Sequence, residues 1–472
     1  MAASLKKRWS VADQPPADVD RELTAYSPVL RQLLYNRGIC DTTSASDYLN
    51  ATGSLHDPFL LLGMEKTAAR LWEAIDQRQP VTVYGDFDAD GVTATALMVQ
   101  AINQLGGTAR GYIPNRFEEG YGLNMDAVEQ LSQESCRLLL TVDCGIRSPR
   151  EVAHAYKLGM DVIISDHHEP RDALPEAIAV ICPKQLDDNY PEKNLAGVGL
   201  EYKIVVALVS TRTSQHLQVQ NWLDLVAVGT VSDVVTLTGE NRSLVRAGLA
   251  RLREGKRPGL RTLALAAGIQ PQNLTARDIG FLLGPRLNAA GRLETARDAY
   301  ELLMADDLST AGILAQVLDN QNAQRQELTR QMVEIAERQS VSDDAKLIFS
   351  TDPGFNMGIV GLVASRLSET FYLPAIVGAV DGEFTRASCR SIPEFHITRA
   401  LDECSEMMER HGGHAMAAGF TIRTDRLEAL RERLTGIAHR ELADQELAPI
   451  LRADMEFALS ELPRSSLSEI EA

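Results

Sequence analysis

Short, β-branched apolar runs that each end in acidic or histidine residues constrain this chain more than any other feature. The run Pro80 to Tyr84 is bounded by Pro80 and Gly85 and empties into Asp86-Phe87-Asp88-Ala89-Asp90-Gly91. A helical pattern follows from Val92 to Leu105, so the stretch predicts a strand, a turn and a helix. Leu138-Leu139-Leu140-Thr141-Val142 runs into Asp143-Cys144-Gly145, and Val162-Ile163-Ile164-Ser165 runs into Asp166-His167-His168-Glu169. A further apolar run spans Ala177 to Cys182, and helical patterns cover Met64 to Ile75, Asp126 to Gln133 and Pro149 to Leu158. This alternation predicts an α/β fold with a parallel, doubly wound sheet. Ligands of such sheets gather beyond the carboxyl ends of the strands, which is where these acids and histidines fall.

Taken alone, the first acidic stretch also reads as a solvated turn with Asp90 as helix N-cap. It resembles the start of an EF-hand calcium loop as well, but the twelfth position counted from Asp86 holds Leu97, where that loop needs Glu. Three strands ending in the same way form a constellation that a cap does not explain. Asp233, in Ala227-Val228-Gly229-Thr230-Val231-Ser232-Asp233-Val234-Val235, again leaves an apolar, glycine-containing run. Carboxylates with one or two imidazoles suit manganese or magnesium better than calcium. The six cysteines show no CxxC spacing, so they read as reduced thiols and not as a zinc site.

A chain of 472 residues with 44% hydrophobic content has room for two or three domains. No apolar run reaches the roughly 18 to 20 residues of a membrane span, and no apolar core follows the charged start, so the expected location is cytoplasmic. The net charge of -18 argues against broad, charge-driven nucleic-acid binding and leaves room for a local basic groove.

Other stretches suggest phosphate contacts or packing. Arg116, beside the turn Gly120-Tyr121-Gly122, and Arg286 and Arg292, around the small-residue turn at Asn288, are candidates for phosphate binding and equally plain surface residues. Leu195-Ala196-Gly197-Val198-Gly199-Leu200 reads as close helix packing, and Lys256 to Arg261 as a basic turn. Ser309 to Ser340 predicts one long polar helix bridging two domains. Beyond it a second α/β unit begins, with strand Lys346 to Ser350, helix Gly358 to Ser368 and strand Pro374 to Val380. There Gly412 and Gly413 let backbone amides approach an anion that His414 can also meet, and Ser388-Cys389-Arg390-Ser391 strengthens the phosphate reading.

The ordered set Asp86-x-Asp88-x-Asp90-Gly91, Asp143, Asp166-His167-His168, Asp233 and Gly412-Gly413-His414 resembles the DHH phosphoesterase superfamily with its DHH-associated domain. Pro114 to Leu123, Leu195 to Gly199, Pro285 to Arg292 and Gly358 to Leu367 make it most similar, within that superfamily, to the bacterial RecJ family of single-strand-specific 5′→3′ DNA exonucleases. Phe355 and Cys182 stand where the family pattern has tryptophan and asparagine. The resemblance implies a metal-dependent exonuclease that hydrolyses single-stranded DNA to mononucleotides in DNA repair and recombination. Two manganese or magnesium ions would be held by Asp86, Asp88, Asp90, Asp143, His167 and Asp233. Asp143 is the expected bridging ligand, since its strand should lie between the other two. Asp143, His167 and His168 would be the catalytic residues, with one histidine serving as support or leaving-group acid and the choice between them open. Arg390 and His414 would hold substrate phosphates, and Arg116, Arg286, Asn288, Ser388, Gly412 and Gly413 complete the expected substrate-binding set.

The implied domains are an N-terminal segment at 1–60, a DHH domain at 61–265, a helical connector at 266–342 and a DHH-associated domain at 343–442. Residues 443–472, with a strand expected from Ala448 to Leu459, would start an incomplete oligonucleotide-binding barrel. Single-strand-binding protein and a helicase are the partners the family implies. The alternative activities are a DHH-type oligonucleotide or cyclic-dinucleotide phosphodiesterase, a manganese pyrophosphatase of the same superfamily, and a non-catalytic replication scaffold.

Overall fold

The computed structural model describes residues 7–51, 53, 55–171, 173–212, 217–340, 344–458, 466, 469 and 470. Its contacts divide the chain into two units, residues 50–324 and the residues up to Leu49 together with those from Arg325 onward.

The first unit is built on a five-stranded parallel sheet. In space the strands run Thr108–Tyr112, Pro80–Tyr84, Leu138–Val142, Asp161–Ser165 and Ala179–Ile181. Successive side chains of the central strand point to opposite faces. Leu138, Leu140 and Val142 join a core with the helices Met64–Asp76, Ala89–Gln104 and Gly197–Thr211, whereas Leu139 packs with Ala127, Val128, Leu131, Val152 and Ala155 of Met125–Gln133 and Pro149–Lys157. A sheet covered on both faces explains why its strands read as continuous apolar runs. The strand of Asp143 lies between those that deliver Asp86 and Asp166, and Tyr84, Thr141 and Ile164 share one row. All three acidic loops therefore leave the same sheet edge.

One element departs from the strand pattern of its neighbours. The apolar run before Asp233 is a helix, Leu223–Ser232, with every residue from Leu223 to Thr230 buried. A helix that is apolar all round has no amphipathic period, so its sequence cannot be told from a buried strand by pattern.

The long polar stretch is a single helix, Leu308–Ser340, that runs from the first unit into the second. The second unit holds a mixed five-stranded sheet ordered Arg410–His414, Ala417–Arg423, Phe384–Arg390, Ala375–Asp381 and Ile348–Asp352, with only the last pair parallel. The strand sought at Ala448 to Leu459 is shorter, Ile450–Ala453, and pairs in parallel with Arg8–Val11; Leu459 lies outside the described residues. Among the described residues, no helix is long and apolar enough to cross a membrane.

Candidate metal centre

Asp88, not Asp90, caps the helix Ala89–Gln104. Its Oδ1 accepts from the amides of Asp90 at 2.9 Å and Gly91 at 3.1 Å. Gly91 is required for the loop to fold back, because a Cβ there would lie 2.6 Å from the backbone N and O of Asp86. Asp90 is thereby free to turn inward, where it is 1% exposed. Its Oδ2 accepts from Gly197 N at 2.7 Å and its Oδ1 from Val198 N at 2.9 Å, at the start of the helix Gly197–Thr211. The amides and dipole of a helix N-terminus hold an anion well. The glycine motif at 195–200 is thus the clamp that fixes Asp90. A Cβ on Gly197 would lie 2.8 Å from Cβ of Asp143, so only glycine lets that helix approach the second acidic loop.

Asp143 is buried and adopts φ 61°, a left-handed conformation that costs energy for a residue with a Cβ and is common at functional sites. Its Oδ1 lies 3.0 Å from Nε2 of His167, yet among the described residues neither atom makes a hydrogen bond of acceptable geometry. The same His167 nitrogen is 3.6 Å from Oδ2 of Asp233 and 3.9 Å from Oδ2 of Asp90. His168 is held differently. Its Nδ1 lies 2.8 Å from Oδ1 of Asp166 and 3.1 Å from the hydroxyl of Tyr121, while the other Asp166 oxygen accepts from Ile146 N at 3.0 Å.

Potential ligand atoms fall into three groups, Asp86 with Asp88 and Asp143, Asp90 with His167 and Asp233, and Asp143 with His167 and His168, each within 4.8 Å. Asp143 and His167 are each shared by two groups. Burial raises Asp86, Asp90 and Asp143 well above the usual carboxylate range, and neighbouring acids raise them further. Asp233 is pushed up to about 7 by burial and the charge of Asp88. Burial, reinforced by His168, brings His167 down to about 4, leaving it neutral. Burial also acts to lower His168, but its hydrogen bond to Asp166 outweighs this and raises it. So many inward-facing carboxylates can ionise together only with cations among them. Oδ1 of Asp86, Oδ1 of Asp143 and Nε2 of His167, which have no hydrogen-bond partner among the described residues, are donors suited to manganese or magnesium.

Of the expected substrate-binding residues, Arg116 places its guanidinium 4.9 Å from the centre of the Phe87 ring, where its charge also lowers Asp86. Asn288 accepts from Ala89 N at 2.7 Å and so braces the metal loop. Arg286 pairs with Asp319 at 2.8 Å and donates to the Leu282 carbonyl, which ties two helices together. Ser388, Arg390, Gly412, Gly413 and His414 belong to the other unit. Register brings them together there, with Arg390, Ala417 and His414 in one row and Ser388, Gly419 and Gly412 in another. The two glycines lie in an exposed edge strand. Sequence reasoning passed over Tyr121, whose hydroxyl meets His168 and the Asp143 carbonyl, although the Gly-Tyr-Gly turn had marked the place. The sequence reading names Asp166 among the acids that end the strands but gives it no role of its own, and the structure sets it against Nδ1 of His168.

Comparison with known proteins gives matches in both units. The model of the DHH family, N-terminal domain, matches residues 80–230, and that of the DHHA1 domain matches residues 344–440. The single-stranded-DNA-specific exonuclease RecJ of Bacillus subtilis is 38% identical over 475 residues, covering 98% of this chain and 59% of its own length. RecJ of Escherichia coli is 38% identical over 480 residues, covering 95% of this chain and 82% of its own length. The crystal structure of RecJ from Thermus thermophilus in complex with Mn2+ superposes with a TM-score of 0.84 at 32% identity, over 98% of this chain and 65% of that one. The chain thus spans less than two thirds of the Bacillus and Thermus proteins.

Proposed function

Because the chain belongs to the RecJ family of single-stranded-DNA-specific exonucleases, we propose that it hydrolyses single-stranded DNA from the 5′ end to mononucleotides, in DNA repair and recombination. The observation that carries this reading is the set of three donor groups linked through Asp143 and His167. Asp86, Asp88 and Asp143 would hold one manganese or magnesium ion, and Asp90, His167 and Asp233, with Asp143 shared, the other. Bound divalent ions supply a hydroxide nucleophile near neutral pH and offset the charge of the phosphodiester. Asp90 stays in place because two helix amides hold it, and Asp166 fixes the tautomer and angle of His168. His168 is half-buried and keyed to Asp166 rather than to the ligand groups alone, so it is the residue assigned to hold the proton for the leaving oxygen. Arg390, His414, Ser388, Gly412 and Gly413 would hold substrate phosphates, as would Arg116, Arg286 and Asn288. A cytoplasmic location, and work alongside single-strand-binding protein and a helicase, follow from the family alone.

The test is release of mononucleotides from 5′-labelled single strands with and without manganese, run beside cyclic dinucleotides and pyrophosphate. Asp143→Asn should lower the rate by orders of magnitude. Without metal its melting temperature should match or exceed wild type, since one crowded acid is gone, and its stabilisation by manganese should shrink. Full activity in Asp143→Asn would sink the two-ion reading, and preferential cleavage of cyclic dinucleotides would replace the substrate.

A further inference from the structure

A groove on the first unit lies where the loop before the helix Met64–Asp76 passes the edge of the parallel sheet. One end is apolar. Leu60, Leu62 and Leu174, exposed at 45%, 47% and 37%, stand around a space of about 700 Å³ beside Ala179–Ile181, the last strand of its sheet. The other end, of about 630 Å³, is lined by Trp72, Glu73, Asp76 and Arg212. Phe59 and Glu65 line both ends, so the two form one groove. Single exposed leucines are ordinary, but three around one concave, polar-rimmed surface mark a place of contact.

The groove is built in advance. Leu61 is buried, and its neighbours Leu60 and Leu62 face outward. Leu62 N donates to Oδ2 of Asp188 at 2.8 Å, and Gly63 takes φ 90° so close to the edge strand that a Cβ would lie 2.9 Å from the Val180 carbonyl oxygen. Glu65, Trp72 and Asp76 fall on one face of the helix, with Glu73 beside them. The Arg212 guanidinium lies 3.9 Å from the centre of the Trp72 ring and donates to both oxygens of Asp76, at 2.7 and 2.6 Å. Asp76 is thereby neutralised, whereas Arg70 reaches Glu73 only at 3.9 Å. Lys66 and Asp187 offset each other at the apolar end, so Glu65 and Glu73 give the groove its charge.

We propose that this groove docks a partner protein through a segment with leucine-like side chains at one end and arginine or lysine at the other. Leu60, Leu62 and Leu174 take the apolar side chains, and Glu65 and Glu73 the cations. Charge decides the occupant. A nucleic acid brings phosphates that Glu65 and Glu73 repel, so the groove lies off the path of the substrate. A second copy of a chain with net charge -18 brings mostly the same sign. Arg212 shows what the acidic end accepts, a guanidinium set on an aromatic face and against a carboxylate. Complementary charge speeds the encounter of such partners and rejects acidic ones. The inference stands apart from the nuclease reading and does not depend on it.

The experiment measures, by fluorescence anisotropy on the full chain at physiological salt, the binding of two labelled synthetic peptides. One is a short amphipathic helix of leucine and arginine, and the other has every arginine replaced by glutamate. Wild type should bind the leucine–arginine peptide at least about tenfold more tightly than the leucine–glutamate peptide. A chain of this net charge attracts any basic peptide, so the variants decide. Leu60→Ser with Leu62→Ser should weaken the leucine–arginine peptide by at least about tenfold, and Glu65→Lys with Glu73→Lys should reverse the preference between the two. Nuclease rates on a short single strand should stay within about twofold in both double variants, since neither touches the metal centre. No binding by wild type, or unchanged affinity in either double variant, overturns the proposal. So does displacement of the peptide by a single-stranded oligonucleotide, which would make the groove part of the substrate path. Self-association of wild type in sedimentation that is lost in the Leu60→Ser, Leu62→Ser variant would make the occupant a second copy, and overturns it too.

Discussion

Glu201 and Lys203 lie two residues apart on the helix Gly197–Thr211 and meet opposite fates. The Lys203 ammonium is buried against Glu240, with the Tyr190 hydroxyl on the same carboxylate, so its charge is paired. Glu201 is fully buried and neither of its oxygens finds a hydrogen-bond partner of acceptable geometry among the described residues. Burial pushes its carboxyl up from 4.5 to about 8, with only the Ser165 hydroxyl acting against the rise. Below the unfolded value both states carry the proton, and Glu201 adds no pH dependence to stability. As pH rises from about 4.5 to about 8 the unfolded chain ionises there while the fold keeps its proton, so stability falls by up to about 1.4 kcal/mol per unit. Glu201→Gln should therefore gain stability relative to wild type as pH rises toward 8. Urea-unfolding midpoints at pH 5 and 8 check this; the same difference at both would show that Glu201 is ionised in the fold.

The helix start at Gly197 is the element on which the metal centre depends most. Gly197→Ala would drive a Cβ to 2.8 Å from the Cβ of Asp143, a buried and backbone-constrained neighbour that cannot swing away. The variant should keep its helical content but lose at least tenfold in manganese affinity, read by calorimetry; unchanged affinity would mean the helix shifts without disturbing Asp143. The strands at Pro80–Tyr84 and Asp161–Ser165 were legible to the residue, because proline, glycine and acids bound their β-branched runs. The Leu223–Ser232 helix was not, since burial on all sides erased its period. The role of Gly197 was equally hidden, because it lies in a contact made across the fold with Asp90 and Asp143, not in the local spacing of 195–200.

At the scale of the whole molecule, the candidate residues are divided between two units, metal ligands in one and the Arg390 patch in the other. Arg390 is part-buried, donates to the Cys389 carbonyl at 2.9 Å and shares its row with His414. If it grips a substrate phosphate, Arg390→Ala should weaken binding of single strands by roughly 1.5 to 3 kcal/mol and flatten its salt dependence. Manganese affinity should not move. An unchanged KM and salt slope would remove Arg390 from the substrate path. The sequence made both sets of residues visible, but not that Asp166 meets Nδ1 of His168, since adjacent residues after a strand diverge only through contacts such as this one.

The parallel pairing of Arg8–Val11 with Ile450–Ala453 also orders events in time. Residues 50–324 are contiguous and can complete their own contacts while the rest of the chain is still being made. The unit that flanks them is discontinuous in sequence, so its first strand waits for a partner more than four hundred residues downstream. During synthesis, the half carrying the acidic loops is finished first, and the first strand stays unpaired the longest.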